Sequence, residues 1–428
     1  MLLGVSAALA SVAVPASSVA SASPVVQTPP TPGDAPQTNR RPEAESPPKS
    51  SPETEAAATP EQLLRFAFET ATEIPRDPHL KDRSRTQEAV VLAAIEGGRL
   101  DLAADLVERM DGWRRGTAYA DVASALAAER PDDPRIRRYL ALASNLGETA
   151  ESWRKDRIRM AVARAHARLG ESAEVARIAR TIAPEEVGKI DAARAAFEGG
   201  PTMDEETFAA RQAELAAVVA TGNFDLVRPA LAAQVAYFER FHEDDARRSA
   251  IEAAIREGWV KVPHSIRIDL LLEMSAIAAT RGDLANARRF ASDAIGIVEA
   301  NRWVAESEVP ILGRIANAFA AAEADEEARG AIARAEEIYA ARLREIYDIY
   351  RADALRPVAE AWVALGDTEQ ARATYLRVLE AGVENPNARP RAIDLAATAR
   401  SMATSGFHPD AEMLEGMRAI RTRLGDPW

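Results

Sequence analysis

"ALGDTEQARATYLRVLE", residues 364–380, sets a Gly-Asp pair between two apolar runs, with Ala371 five positions after Gly366 and Tyr375 four positions later. Gly366 suits the left-handed end of one helix, because a residue without a Cβ adopts positive φ at little cost. Asp367 suits the start of the next, as an N-cap whose carboxylate also meets the positive end of the helix dipole. The stretch therefore reads as a hairpin of antiparallel helices. Ala371 is small where the helices approach, and Tyr375, one turn on, fills the wider space beside it. One hairpin cannot bury its apolar faces alone, so hairpins must stack.

The turn recurs. Aligned on its central residue it falls at Gly98, Gly170, Gly222, Gly282, Glu323, Gly366 and Gly406. The small residue follows at Ala103, Val175, Val227, Ala287, Ala328, Ala371 and Ala411. Turns at 282, 323, 366 and 406 lie 41, 43 and 40 residues apart, the mark of a structural repeat. The longer interval from 98 to 170 holds two units, with "ERPDDP" (129–134) as the hidden turn and Pro134 starting the next helix. The intervals on either side of Gly222 carry extra material, including "EGGPTMDEE" (198–206), and a break is expected near 198–204.

The composition agrees with helices that bury narrow stripes. Apolar residues make up 47% of the 428, mostly as Ala, while aromatics are 5% and charged residues 28%. Val, Ile and Thr never gather into alternating runs, so the folded part is expected to be all-α. The net charge of −13 excludes a nucleic-acid partner as the expectation, since phosphate backbones are gripped by clustered Lys and Arg. The most basic stretch, "WRKDRIRM" (153–160), is interrupted by Asp156 and reads as a solvated helix face. Without cysteine the chain has no disulfide, thiolate metal site or cysteine nucleophile.

Residues 1–22 open with an apolar run and end in Ala20-Ser21-Ala22, the pattern of a signal peptide, although no Lys or Arg precedes the run. Export to a periplasmic or secreted location is expected, and the run is too short and too broken by Ser and Pro for a membrane span. Residues 23–60 hold ten of the 25 prolines among Ser, Thr and Gln, which marks them as a disordered linker. The linker ends where Thr59, Pro60 and Gln62 form a capping-box pattern, so the α-solenoid of stacked antiparallel hairpins occupies 61–428.

"LRPVAEAWVALGDTEQARATYLRVLEAG" (355–382) resembles a tetratricopeptide repeat at Leu355, Val358, Ala359, Trp362, Gly366, Ala371, Tyr375 and Val378. "LLEMSAIAATRGDLANARRFASDAIGIV" (271–298) is similar through Leu271, Met274, Ser275, Ala278, Gly282, Ala287, Ala291 and Ala294. A third match, "RIRMAVARAHARLGESAEVARIARTI" (157–182), rests on Val162, Ala163, His166 and Gly170. The period near 40 is longer than the family's and is like its longer-helix variants or HEAT-like repeats. The resemblance implies a non-enzymatic scaffold that lays a peptide or protein across the first helix of each hairpin. It places Arg157, Arg164, Asn317, Asp353, Arg356, Glu360 and Arg400 on that concave face.

No phosphate-binding loop, dinucleotide fingerprint or nucleophile elbow occurs, and neither a cofactor nor a metal is expected. The five histidines are scattered, and Glu239-x-x-His242 is half of a di-iron helix motif with no second copy. His166 is expected to pack rather than catalyse. Tyr339, Tyr347, Tyr350, Trp362 and Tyr375 form the densest aromatic group, read as interhelix packing or, alternatively, as a ligand patch. Two other readings stand beside the scaffold: an enzyme whose site is assembled from distant helices, and a structural part of an envelope assembly.

Overall fold

Thr59 begins the folded chain as the capping-box pattern requires. Its hydroxyl accepts from the Gln62 amide over 3.2 Å, and the Gln62 side chain accepts from the Thr59 amide over 2.8 Å. The structure, a computed structural model, describes residues 58–183, 195–196 and 203–428, all within one compact unit. The expected signal peptide, nearly all of the linker and most of 198–204 lie outside the described residues. Among the described residues there are α-helices and two short 3-10 turns but no strand, and the helices form a helical-repeat solenoid.

The first half contains α1 (Pro60–Glu73), α2 (Leu80–Glu96), α3 (Leu100–Glu108), α4 (Arg114–Glu129), α5 (Arg135–Thr149), α6 (Ser152–Arg168) and α7 (Ser172–Ala179). Then follow α8 (Glu205–Ala220), α9 (Phe224–Arg240), α10 (Asp245–Gly258), α11 (His264–Thr280), α12 (Leu284–Glu299), α13 (Ala305–Ala321) and α14 (Asp325–Arg342). The chain closes with α15 (Asp348–Ala364), α16 (Thr368–Gly382), α17 (Ala388–Ser405) and α18 (Ala411–Thr422).

Helices α9, α11, α13, α15, α17, α2, α4 and α6, taken in that order, form an inner row in which each packs on the next, and the others pack outside them as antiparallel partners. The parallel sense is visible where the starts of neighbours meet: Asn385, just before α17, donates to Asp348 of α15 over 3.1 Å. The closest step joins α13 to α15. Gly313 is required there, since a Cβ would stand 2.8 Å from the Pro357 backbone carbon and the Val358 nitrogen. Asn317 spans the same step, its amide donating to the carbonyls of Gly313 (3.2 Å) and Pro357 (3.0 Å).

The Gly-Asp turns behave as expected. Gly282 and Gly366 adopt φ of 77° and 72°, and Asp283 and Asp367 cap the following helices by accepting from Asn286 and Gln370. Glu323 takes the same left-handed conformation, φ 53°, without being glycine. The hidden turn at 129–134 is present, with Pro134 standing at the N-cap of α5 rather than inside it. Ala371 and Tyr375 are fully buried, and the Tyr375 hydroxyl lies 2.9 Å from Ser401 Oγ and 3.1 Å from Ser405 Oγ on α17.

One turn falls elsewhere than expected. Gly222 has positive φ, but it joins an outer helix, α8, to an inner one, α9. The hairpin turn of that unit is instead residues 241–244, where Asp244 caps α10 through the Arg247 amide over 3.1 Å. A left-handed glycine serves an outer-to-inner connection as well as an inner-to-outer one, so the alignment on glycine misplaced this unit.

The two ends of the array are joined. Helix α1 runs antiparallel to α17 along its length, in the manner of a hairpin partner. At one end His408 Nδ1 lies 3.1 Å from the Ala58 carbonyl, and at the other Arg389 reaches Asp82, at the start of α2, over 3.2 Å. One apolar core consequently joins residues 58–182 to residues 359–417, while a second runs through residues 195–381.

Candidate functional site

On each inner helix a stripe of side chains spaced by three and four residues remains after the apolar contacts are made. On α6 the stripe includes Arg157, Arg164 and Arg168, on α15 Asp353 and Glu360, and on α17 Arg400. On α11 it includes Asp269 and Glu273, on α13 Arg314 and Asn317, and on α2 Glu96. These side chains interact from helix to helix. Arg400 is flanked by Glu360 of α15 and Glu96 of α2, and Glu360 in turn feels Arg314 of α13. Arg314 donates to Asp269 of α11 over 2.8 Å. Glu273 faces Glu239 of α9, which is attracted by Arg168 of α6. Arg164 donates to Asp121 of α4 over 3.1 Å, and Asp121 also feels Glu88 of α2.

The result is a belt of charged groups along the inner row, mixed in sign, with Asp269, Glu273 and Glu239 forming an acidic run and Arg168 facing Glu239 across the gap between α6 and α9. Its groups are partly desolvated. Burial holds the carboxyls of Glu96, Glu239, Glu360 and Asp121 above their usual range and draws the guanidiniums of Arg157, Arg168 and Arg400 down. Glu273 is pushed up to about 7, first by burial and then by the like charges of Glu239 and Asp269. Glu96, Arg164 and Arg314 are nevertheless exposed.

The residues singled out from the sequence all lie on inner-row helices, but they divide by environment. Arg164, Glu360 and Arg400 take part in the belt, and Arg157 joins it while its guanidinium lies 5.8 Å from the centre of the Trp113 ring. Asn317 is committed to the α13–α15 step. Arg356 is only 7% exposed and sits between α15 and α17, donating to Asp394 over 2.9 Å and also pairing with Asp353. It therefore serves as a clamp within the row. Asp353 is exposed and occupied by that clamp. Glu96, Asp121, Glu239, Glu273 and Arg314 were missed because their partners are on other helices, at sequence distances that local spacing does not reveal.

The other residue types that could carry chemistry are placed as follows. Glu239 points into the belt, whereas His242 is buried against Phe238, its Nε2 3.7 Å from Asp283, so the pair shares no site. His166 Nδ1 lies 2.5 Å from Glu171, whose carboxyl is held down at about 2, mainly by Arg137. Among the described residues no group of three or more His, Asp or Glu is arranged to hold a metal ion. Within 153–160, Lys155 and Arg159 pair with Glu148. The aromatic group separates into buried Tyr339 and Tyr375, half-buried Trp362, and exposed Tyr347 and Tyr350. Among the described residues no helix is long and apolar enough to cross a membrane.

No protein-family model matches the chain, and no curated protein does. Among solved structures the chain is similar to a circular tandem repeat protein with novel repeat topology and enhanced subunit contact surfaces. The identity is 16% and the TM-score 0.19, over 85% of this chain and 96% of that one.

Proposed function

We propose that the chain is an exported, non-enzymatic scaffold that binds an extended protein or peptide segment along its inner row, and that its hairpins are of the tetratricopeptide kind. The observation that carries the reading is the belt itself. Glu96, Glu360 and Arg400 come from three successive inner helices, and Arg400 lies within electrostatic reach of both carboxylates. An extended segment laid there meets both cations and anions that answer its own charges and its backbone groups, with the desolvation that makes such contacts strong.

Photo-crosslinking amino acids at positions 164 and 400, compared with position 372 on the outer helix α16, test it in the native setting. The same protein adduct at 164 and 400, absent at 372, supports inner-row binding. Adducts confined to position 372 would overturn it.

A further inference from the structure

The ten exposed large apolar side chains of the described residues share one edge of the array. Leu80, Trp153 and Phe224 lie at the starts of the inner helices α2, α6 and α9; Val260 lies in the 3-10 turn Trp259–Lys261 that leads to α11, and Val304 immediately precedes α13. Leu343, Tyr347, Ile349 and Tyr350 surround the start of α15, and Val383 leads into α17. None lies at an inner-to-outer turn on the opposite edge. Exposure is substantial: 70% for Tyr347, 61% for Val260, 57% for Val304 and 56% for Trp153. Trp113, Trp259 and Trp303 stand half-buried on the same edge.

Cations accompany these groups. All three described lysines, Lys81, Lys155 and Lys261, are within two residues of one of the ten. Lys81, Lys261, Arg302 and Arg344 are exposed and make no ion pair with any described residue, although the chain as a whole is acidic. Several neighbouring acids are already paired: Asp82 with Arg389, Glu345 with Arg342 and Glu384 with Arg351. The edge thus presents Trp, Tyr and aliphatic groups at its tips with the free cations Lys81, Lys261, Arg302 and Arg344 among them, beside the exposed acids Asp77, Asp225 and Glu257.

We propose that this edge docks on an anionic lipid surface. Trp and Tyr favour the headgroup level, Lys and Arg lay their stems on apolar surface while their charges meet phosphate, and each unpaired cation near an anionic leaflet strengthens attachment. The spacing favours a plane over a protein. The apolar groups come one or a few per hairpin around an edge, which a flat surface meets together, whereas a protein interface needs one contiguous patch. A second copy is disfavoured because a two-fold pairing of identical edges would bring their free cations together. This inference concerns a different face from the inner row and stands apart from the reading of that row.

The chain has no cysteine, so single ones can be introduced into the full chain and carry an environment-sensitive fluorophore. Val260→Cys and Val304→Cys probe the apolar edge, and Asp132→Cys, at the turn between α4 and α5, probes the opposite one. With phosphatidylglycerol-containing vesicles the emission should shift to the blue at 260 and 304 and stay unchanged at 132, with no shift on pure phosphatidylcholine. Combining Lys81→Glu, Lys261→Glu, Arg302→Glu and Arg344→Glu should lower vesicle partitioning by at least about tenfold with the fold intact by circular dichroism. An equal shift at all three positions, no shift at 260 and 304, or a concentration-dependent shift without vesicles, the sign of self-association, would each overturn the proposal.

Discussion

Arg421, in the last helix, donates to Glu69, in the first, over 2.9 Å, across 352 positions of sequence. The same guanidinium reaches Glu73 and lies over the Phe66 ring, so α18 and α1 meet through charge at the surface above an apolar contact. Surface ion pairs contribute little by themselves, and the seam is held by what lies beneath. Leu63, Leu64, Ala67 and Phe68 of α1 are buried, and all belong to the core that also contains Leu395, Ala399 and Met402 of α17.

Phe68→Ala should therefore destabilise the whole array by about 3 to 5 kcal/mol, while Arg421→Ala should cost no more than about 1 kcal/mol. Urea denaturation followed by circular dichroism separates the two. A Phe68→Ala variant with the parental midpoint would mean that α1 is an ornament on an array stable without it.

Arg356 and Asp394 are both buried, and removing one partner leaves a charge without compensation. Arg356→Ala should cost about 3 to 5 kcal/mol, and Arg356→Met with Asp394→Leu should restore most of it. A single variant of unchanged stability would show that Arg356 is free to serve a ligand, contrary to its position between α15 and α17.

Glu323 occupies the left-handed region, which costs a residue with a Cβ about 1 kcal/mol or more. Glu323→Gly should raise stability by about 1 kcal/mol, read as an increase in melting temperature. A decrease would mean that the loss of a side chain in the unfolded state outweighs the relieved strain.

Glu273 carries a pH dependence whose sign follows from its environment. Its carboxyl is raised from the usual 4.5 to about 7, so the folded state holds the proton more tightly than the unfolded one. The stability contributed is fully present below about 4.5 and is lost as pH rises through about 7. Glu273→Gln should flatten the melting temperature across that window and raise it at pH 8. A variant that tracks the parent at every pH would place the carboxyl in ordinary solvent.

The local half of this architecture is legible in the sequence. Gly366, Asp367 and Ala371 each satisfy a requirement of backbone or close packing that reaches only a few residues, and Glu323 betrays its turn by period alone. The closure of the ends is not legible, because α1 and α17 are some 300 positions apart and the apolar face of α1, Leu63, Leu64, Ala67 and Phe68, names no particular partner. The inner face was legible as a row but not as a belt: Arg356 and Glu360, one turn apart on α15, both reach α17, the first pairing with buried Asp394 and the second accepting from Ser401 while it also faces Arg400. The apolar edge was hidden for a different reason. Single Val, Leu or Tyr residues beside a helix start look like the ordinary punctuation of caps, and only the repeated placement on one edge distinguishes them.

The arrangement of the array rests on α1 serving as the outer partner of α17. Spin labels at Glu69→Cys and Arg421→Cys in the full chain measure this directly by electron–electron resonance. Closure predicts one narrow distribution at the short end of the accessible range. An open array of inner helices packed at about 10 Å per step would separate the two positions by roughly 70 Å or more, and a broad distribution at that length would contradict it.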